Sequence, residues 1–284
     1  MPWQILIGIS VTFFAVSTLL QRVLLKDHDS DPVAYSIFFQ LLIGILIGIF
    51  GFFITDMSLP DLKPLIFNLT IGIIFYALAN VFIFNSLKRI EASKYSVIFT
   101  SRALFTVFAS SLLLKESLSL GQFFGAALLL GGILIVTLKD FKIQFNKGEL
   151  FAFIAAILFG FATTNDRLLL QSFNLYPYVS LSFIIPPILI AIVYPKSIGQ
   201  MKVFLQKNIL IKMIILCVIY SVSALTFFAA LQSGSNSSQI TTVNLSSVIL
   251  TVILSAIFLK ERDSLVKKIL GATLSFAGLV LLTI

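Results

Sequence analysis

The chain has 284 residues, of which 58% are hydrophobic and 11% charged, with a mean hydropathy of +1.06 and a net charge of +8. A soluble domain carries about 45–50% apolar and about 25% charged residues, so a water-soluble globule is excluded and a polytopic membrane protein is implied. The excess of 20 Lys and Arg over 12 Asp and Glu lies between apolar runs, where it reports topology and anionic headgroups rather than nucleic acid.

A spanning helix needs about 20 apolar residues. Runs bounded by charge, proline and glycine predict ten such helices at 4–25, 32–54, 65–87, 93–114, 118–138, 149–171, 176–195, 209–231, 237–259 and 264–284. The first run lacks a basic leader or a small-residue cleavage pattern and outlasts a signal peptide's apolar region, so it reads as a retained helix. His28, beside Asp27 and Asp29, is the single histidine, and Cys217, inside the eighth run, is the single cysteine. With one of each there is no ligand set for zinc and no disulfide, and neither a metal nor a cofactor is expected. Most links are a few residues long. Only 55–64, 139–148 and 196–208 leave room for a short interfacial helix.

Charged, proline and glycine landmarks recur at a fixed distance. A shift of 145 residues pairs Gln21-Arg22 with Asp166-Arg167, Pro32 with Pro177, Phe38 with Phe183, and Lys115-Glu116 with Lys260-Glu261; one residue further, Gly125 meets Gly271 and Gly132 meets Gly278. The repeat divides the chain into 1–140 and 149–284, joined by a linker at 141–148. Each unit holds five spans, an odd number, so the second enters the membrane from the opposite side. The expected fold is an all-α membrane protein of ten transmembrane helices, arranged as two five-helix inverted-topology repeats around a central cavity. With that span count the N-terminal side receives Lys63, Lys115 and Arg167, and the other side receives sixteen Lys and Arg. Positive-inside bias then places both termini outside the cytoplasm of a cell membrane.

The fourth predicted span, SKYSVIFTSRALFTVFASSLLLKE, holds Arg102 near its middle. It lies roughly 14 Å of helix from Ser93 and about 18 Å from Leu114, too far for its head to reach water. Two readings stand: a structural arginine satisfied by carbonyls or an internal carboxylate, or an anchor for a carboxylate or phosphate in a central cavity. Tyr76, Asn80 and Asn85, Thr163, Thr164 and Asn165, Tyr220, and Thr241, Thr242 and Asn244 add polar groups within spans. They would orient a substrate or make interhelical hydrogen bonds. Tyr76 and Asn80 are four apart and share a face. Arg22 on one side and Asp166 with Arg167 on the other are gate or coupling candidates, with anchoring at the interface as the alternative. Glu116 and Glu261 fit hydrated turns better than proton-coupling sites. Gly125, Gly132, Gly271 and Gly278, spaced by seven, mark packing faces. Pro186-Pro187 marks a bend in span seven.

The span ending in LLLKE or IFLKE, a short link, and a helix with Gly-x6-Gly, present in both halves, resemble the EamA-type repeat of the drug/metabolite transporter superfamily. The resemblance covers essentially the whole chain and is strongest over 87–136 and 231–281. It matches the family's acids to Glu116 and Glu261 and its glycines to Gly125, Gly132, Gly271 and Gly278. Where members carry a proline fourteen residues before the acid, this chain has Arg102 and Ser247. The resemblance implies a ten-helix secondary carrier, often an exporter of amino acids or other small metabolites. Members are commonly drawn with cytoplasmic termini, opposite to the charge count. The expected function is transport of a small polar metabolite such as an amino acid or organic anion, exchanged or coupled to protons, bound by Arg102, Tyr76, Asn80, Asn244 and Tyr220. The rival is a flippase-type protein acting on polyprenyl-phosphate lipids. No nucleophile, phosphate loop or HExxH pattern suggests an enzyme.

Overall fold

The structure is a computed structural model that describes residues 2–27, 31–114, 120–139, 142–143, 146–233, 240 and 243–282. Its helices are α1 (Trp3–Asp27), α2 (Pro32–Ile54), α3 (Ile66–Arg89), α4 (Ala92–Phe99), α5 (Arg102–Leu114), α6 (Leu120–Thr137), α7 (Lys147–Leu169), α8 (Leu175–Val193), the short α9 (Pro195–Gln200), α10 (Lys207–Gln232), α11 (Ser247–Phe258) and α12 (Leu265–Leu282). Lys115, Glu116, His28, Thr241 and Thr242 lie outside the described residues.

Local chemistry sets several of these boundaries. Asp31 accepts from the Val33 amide at 3.0 Å ahead of Pro32 at the first helical position, which starts α2. Asn146 and Glu149 form a reciprocal capping box that starts α7. α8 runs through Pro186 and Pro187 without interruption, although those residues offer no amide to the carbonyls one turn earlier.

Six described helices are long and apolar enough to cross a membrane: those spanning Trp3–Lys26, Pro32–Ile54, Lys63–Arg89, Lys147–Leu169, Leu175–Val193 and Lys207–Gln232. Phe123–Val136 and Val243–Phe258 are shorter apolar helices. The expected continuous span at 93–114 is two helices, α4 and α5, that meet at Thr100 and Ser101. Among the described residues the all-α expectation has one small exception, where the first unit meets the linker: an antiparallel ladder pairing Leu138 with Ile143 and Lys139 with Lys142. Phe52, Phe53, Phe67 and Phe258 point outward, each at least 70% exposed. Such surface suits acyl chains and not water.

The two halves interlock helix by helix. α3 packs on α7 and α1 on α10, a pair of contacts that the repeat exchanges, while α2 packs on its own repeat mate α8, and α6 on α12. The last two pairs are antiparallel. Along α2, Gly44 faces Ile184, Gly48 faces Ser180 and Gly51 faces Tyr176, so one helix advances as the other retreats. Along α6, Gly132 meets Gly271 and Ser275, while Gly125 and Leu129 meet Gly278. A Cβ on Gly278 would sit 2.5 Å from the Leu129 amide nitrogen and 2.6 Å from the Gly125 carbonyl, which is backbone that cannot swing away. The glycines therefore set the helix separation, as small residues do between membrane helices.

The contrast between adjacent glycines provides a test. A Cβ on Gly131 meets nothing nearer than Leu274 at 3.5 Å, whereas one on Gly132 lies 2.5 Å from the Gly271 carbonyl. Gly132→Ala is expected to destabilise the protein by about 1–3 kcal/mol, and Gly131→Ala to leave it nearly unchanged, in thermal unfolding of the purified chain in lipid nanodiscs. Equal melting curves would refute the packing assignment.

Candidate functional site

The site begins at the junction of α4 and α5. Thr100 and Ser101 continue the chain through shortened turns: the Ser101 amide donates to Ile98 at 3.1 Å and the Ala103 amide to Thr100 at 3.0 Å. Both hydroxyls also donate three residues back, to Val97 at 2.6 Å and Ile98 at 2.8 Å. Tightening of this kind by Ser and Thr marks a local 3₁₀ segment. It makes Arg102 the first residue of α5. Gly160 of α7 lies against it, because a Cβ there would come 2.6 Å from the Arg102 carbonyl. Thr106 ties the same contact, donating to the Arg102 and Gly160 carbonyls at 3.0 and 3.2 Å.

The Arg102 side chain is 7% exposed. Its guanidinium carbon lies 4.8 Å from the ring centre of Phe99, 5.1 Å from Phe159 and 5.9 Å from Phe14. Each ring face attracts a cation. Nη2 donates to Asn244 Oδ1 at 3.3 Å. Asn244 Nδ2 donates to Ser10 Oγ at 3.0 Å, and Ser10 and Ser223 donate to each other's carbonyls, each at 3.0 Å. Among the described residues no carboxylate lies within ion-pair distance of Arg102, so the internal-carboxylate reading of this residue finds no support there.

Beside it is a cavity of about 70 Å³ available to the centres of water molecules, room for several waters. Arg102, Tyr76, Asn80, Tyr220 and Asn244 all line it, together with Gln40, Thr106, Thr163, Ser10 and Ser223 and the rings of Phe14, Phe159, Phe183, Phe227 and Phe228. Asn85 and Asn165 are elsewhere: Asn85 accepts from Arg89 at 2.7 Å, and Asn165 donates to the Asn68 carbonyl at 2.7 Å.

Two smaller chambers adjoin this cavity at opposite ends. One, reached past Tyr76 and Ser182, is bordered by Asp166 and Tyr178. Asp166 is 1% exposed; Tyr76 donates to one of its carboxylate oxygens and Tyr178 to the other, the latter at 2.5 Å. The other chamber runs past Arg102 to Thr18 and Gln21, where Gln21 is the repeat mate of Asp166. Arg167, expected to act with Asp166, is exposed and belongs to neither chamber.

Arg22 is buried rather than at the headgroups. It donates to the Leu87 and Lys88 carbonyls at 2.5 and 2.8 Å, and its Nε lies 3.8 Å from Glu261. Glu261 follows Lys260, whose φ of 55° turns the chain sharply after α11. Its carboxylate accepts from the first amides of α4, Ala92 at 3.3 Å and Ser93 at 3.4 Å, and from the Ser93 hydroxyl at 3.2 Å, the favourable end of the helix dipole for an anion. Burial and the neighbouring Glu91 carboxylate push the Glu261 carboxyl up, and the α4 donors oppose that shift. Lys94 pairs with Glu149 and Lys268 with Glu91. All three ion pairs join one half to the other on the lysine-rich face. Glu91, Lys94, Glu149 and Lys268 were not singled out from sequence, since charge at a span end is the ordinary case and only the fold shows which ends meet.

A family model described as the EamA-like transporter family matches residues 1–138 and again 146–284. No curated protein matches the sequence. A crystal structure of a protein that is 16% identical superposes with a TM-score of 0.66 over 96% of each chain, which shows a shared fold.

Whether the ion pairs at the lysine-rich face close that end is measurable. In a Cys217→Ser background, a cysteine replacing Thr18 in the adjoining chamber is expected to react slowly with a membrane-impermeant maleimide added at that face, and severalfold faster once Glu261→Gln is introduced. Equal rates would show that these contacts do not close that end.

Proposed function

Because the chain belongs to the EamA-like transporter family, and so to the drug/metabolite transporter superfamily, we propose that it is a ten-span carrier that binds a small carboxylate-bearing metabolite, an amino acid or organic anion, at Arg102 and moves it by alternating access of two inverted halves. The observation that carries this reading is the unmatched guanidinium in a wettable cavity. A buried charge without a counter-ion costs several kcal/mol, and a bound anion removes that cost. Arginine also offers two parallel donors to a carboxylate. Asn244 is the group a carboxylate would displace or share, since it holds the one polar contact of the guanidinium among the described residues. Tyr76 and Tyr220 supply rings and Asn80 an amide, from two other helices, to fix the rest of the molecule.

The three cross-half ion pairs support a gate at the lysine-rich face, with Arg22 as its deepest member. With the positive-inside assignment this face is cytoplasmic, and the conformation is one closed to the cytoplasm. The rings of Phe14, Phe99 and Phe159 around Arg102 weigh against a flippase, which needs a lateral opening to lipid beside the charge. No bond is made or broken in this mechanism. The protein contributes binding, desolvation and two exclusive openings.

Counterflow in proteoliposomes with amino acids, nucleosides, organic anions and sugar phosphates tests the reading. The best substrate is expected to be an anion, and Arg102→Ala to weaken it by about 1.5–3 kcal/mol, roughly ten- to a hundredfold. Asn244→Asp is expected to act in the same direction, by giving Arg102 an internal counter-ion. Undiminished transport by a folded Arg102→Ala protein would sink the assignment.

A further inference from the structure

Among the described residues, Asp166 is a second charge without an ion-pair partner in the same interior. The elements packed against it present phenols and apolar chains: α3 brings Tyr76, Gly72 and Ile73, and α8 brings Tyr178 and Ser182. The titratable groups among these are the two tyrosines, both hydrogen-bonded to it. On its own helix Arg167 points outward, and no described cation lies within ion-pair distance. Tyr76 lines both this chamber and the central cavity that holds Arg102. A buried carboxylate with no cation beside it among the described residues, held by two phenols and bordering a chamber of about 30 Å³ available to water, is placed to take a proton.

We propose that Asp166 carries a transported proton, linked through Tyr76 to the anion at Arg102, so that proton and anion bind and cross together. This rests on the anion site at Arg102 described above. The link is a hydrogen-bonding one, through Tyr76. An anion that takes the Tyr76 hydrogen draws that donor away from ionised Asp166, and so raises the affinity of the carboxyl for a proton. Reciprocity then requires protonation of Asp166 to tighten the anion by the same factor. In the carboxylate state both Asp166 oxygens accept, one from each tyrosine. A proton from water in the small chamber, placed on the oxygen facing Tyr76, makes that oxygen the donor. The Tyr76 oxygen then accepts, and its own hydrogen turns toward the central cavity to donate to the anion. One proton is added, and no covalent bond other than its O–H is formed. The loaded site has Arg102 paired with the anion and Asp166 neutral, so the protein crosses with both interior charges satisfied.

The test uses the full chain in lipid nanodiscs, radiolabelled phenylpyruvate as the probe for a carboxylate with an aromatic body, and a pH-indicator dye in weak buffer. Wild-type affinity is expected to rise by up to about tenfold per unit fall in pH across the titration of Asp166, with about one proton taken up per anion bound. Asp166→Asn imitates the protonated acid. It should bind phenylpyruvate independently of pH, more tightly than wild type under alkaline conditions, and without proton uptake. Tyr76→Phe keeps the acid but removes the relay, and should lower proton uptake per anion. Proton uptake that persists in Asp166→Asn, or wild-type affinity that is flat with pH, overturns the coupling while leaving the anion site intact. If phenylpyruvate, succinate, glutamate and glucose 6-phosphate all fail to bind at any pH, the anion site fails and the coupling falls with it. Should Asp166→Asn not fold, full proton uptake in Tyr76→Phe overturns the relay.

Discussion

A guanidinium held in the interior of a bilayer protein with no counter-ion among the described residues is the constraint around which the rest is arranged. Arginine does not surrender its proton there, so the charge must be met by dipoles, ring faces or a ligand. The structure supplies one amide oxygen, three phenyl faces and a wettable space. These soften the charge without cancelling it. The surrounding backbone is correspondingly tight. The shortened turns at Thr100 and Ser101 set the direction of α5, and the bare Gly160 lets α7 close on it. The Asn244, Ser10 and Ser223 chain fixes the amide that faces the cation. A loose arrangement would let water chains or lipid headgroups reach the charge.

Much of this was legible in the sequence, for reasons that differ by residue. Apolar length announces spans regardless of packing, and the spacing of Gly125, Gly132, Gly271 and Gly278 announces a helix face because only small residues let backbones touch. Arg102 stood out because it is expensive, and Tyr76, Asn80, Tyr220 and Asn244 because polar groups in apolar runs are few. All five line one cavity. The break before Arg102 was hidden: no proline or glycine marks it, and Thr and Ser are common within spans. Tyr178 was hidden as well, since it lies at the start of α8, where an interfacial tyrosine is unremarkable. Arg22 and Arg167 looked equivalent by the repeat, yet one is buried against two carbonyls and a glutamate and the other is exposed. A repeat preserves the path of the backbone better than the partners of a side chain.

That divergence gives the two ends of the molecule different chemistries. At the lysine-rich end the halves are joined by three ion pairs, with one carboxylate seated on the start of α4. At the other end phenols from α3 and α8 close on a single carboxylate from α7. Ion pairs whose side chains are 1–29% exposed part only when the halves that carry them separate, because a lone charge left there is poorly solvated. A phenol-carboxylate cluster in an apolar chamber exchanges with nothing except a proton or a polar guest. In a carrier that opens at one end at a time, the two openings would therefore answer to different signals.

The pair α6 and α12 is packed backbone to backbone through its glycines and, among the described residues, contributes no side chain to the central cavity. Recognition and mechanical cohesion are thereby housed in separate parts of the chain. In the carrier proposed above, inheritance could retune the tempo of the moving halves along that seam without altering what is chosen for carriage, and could change the cargo from the lining helices without loosening the spine.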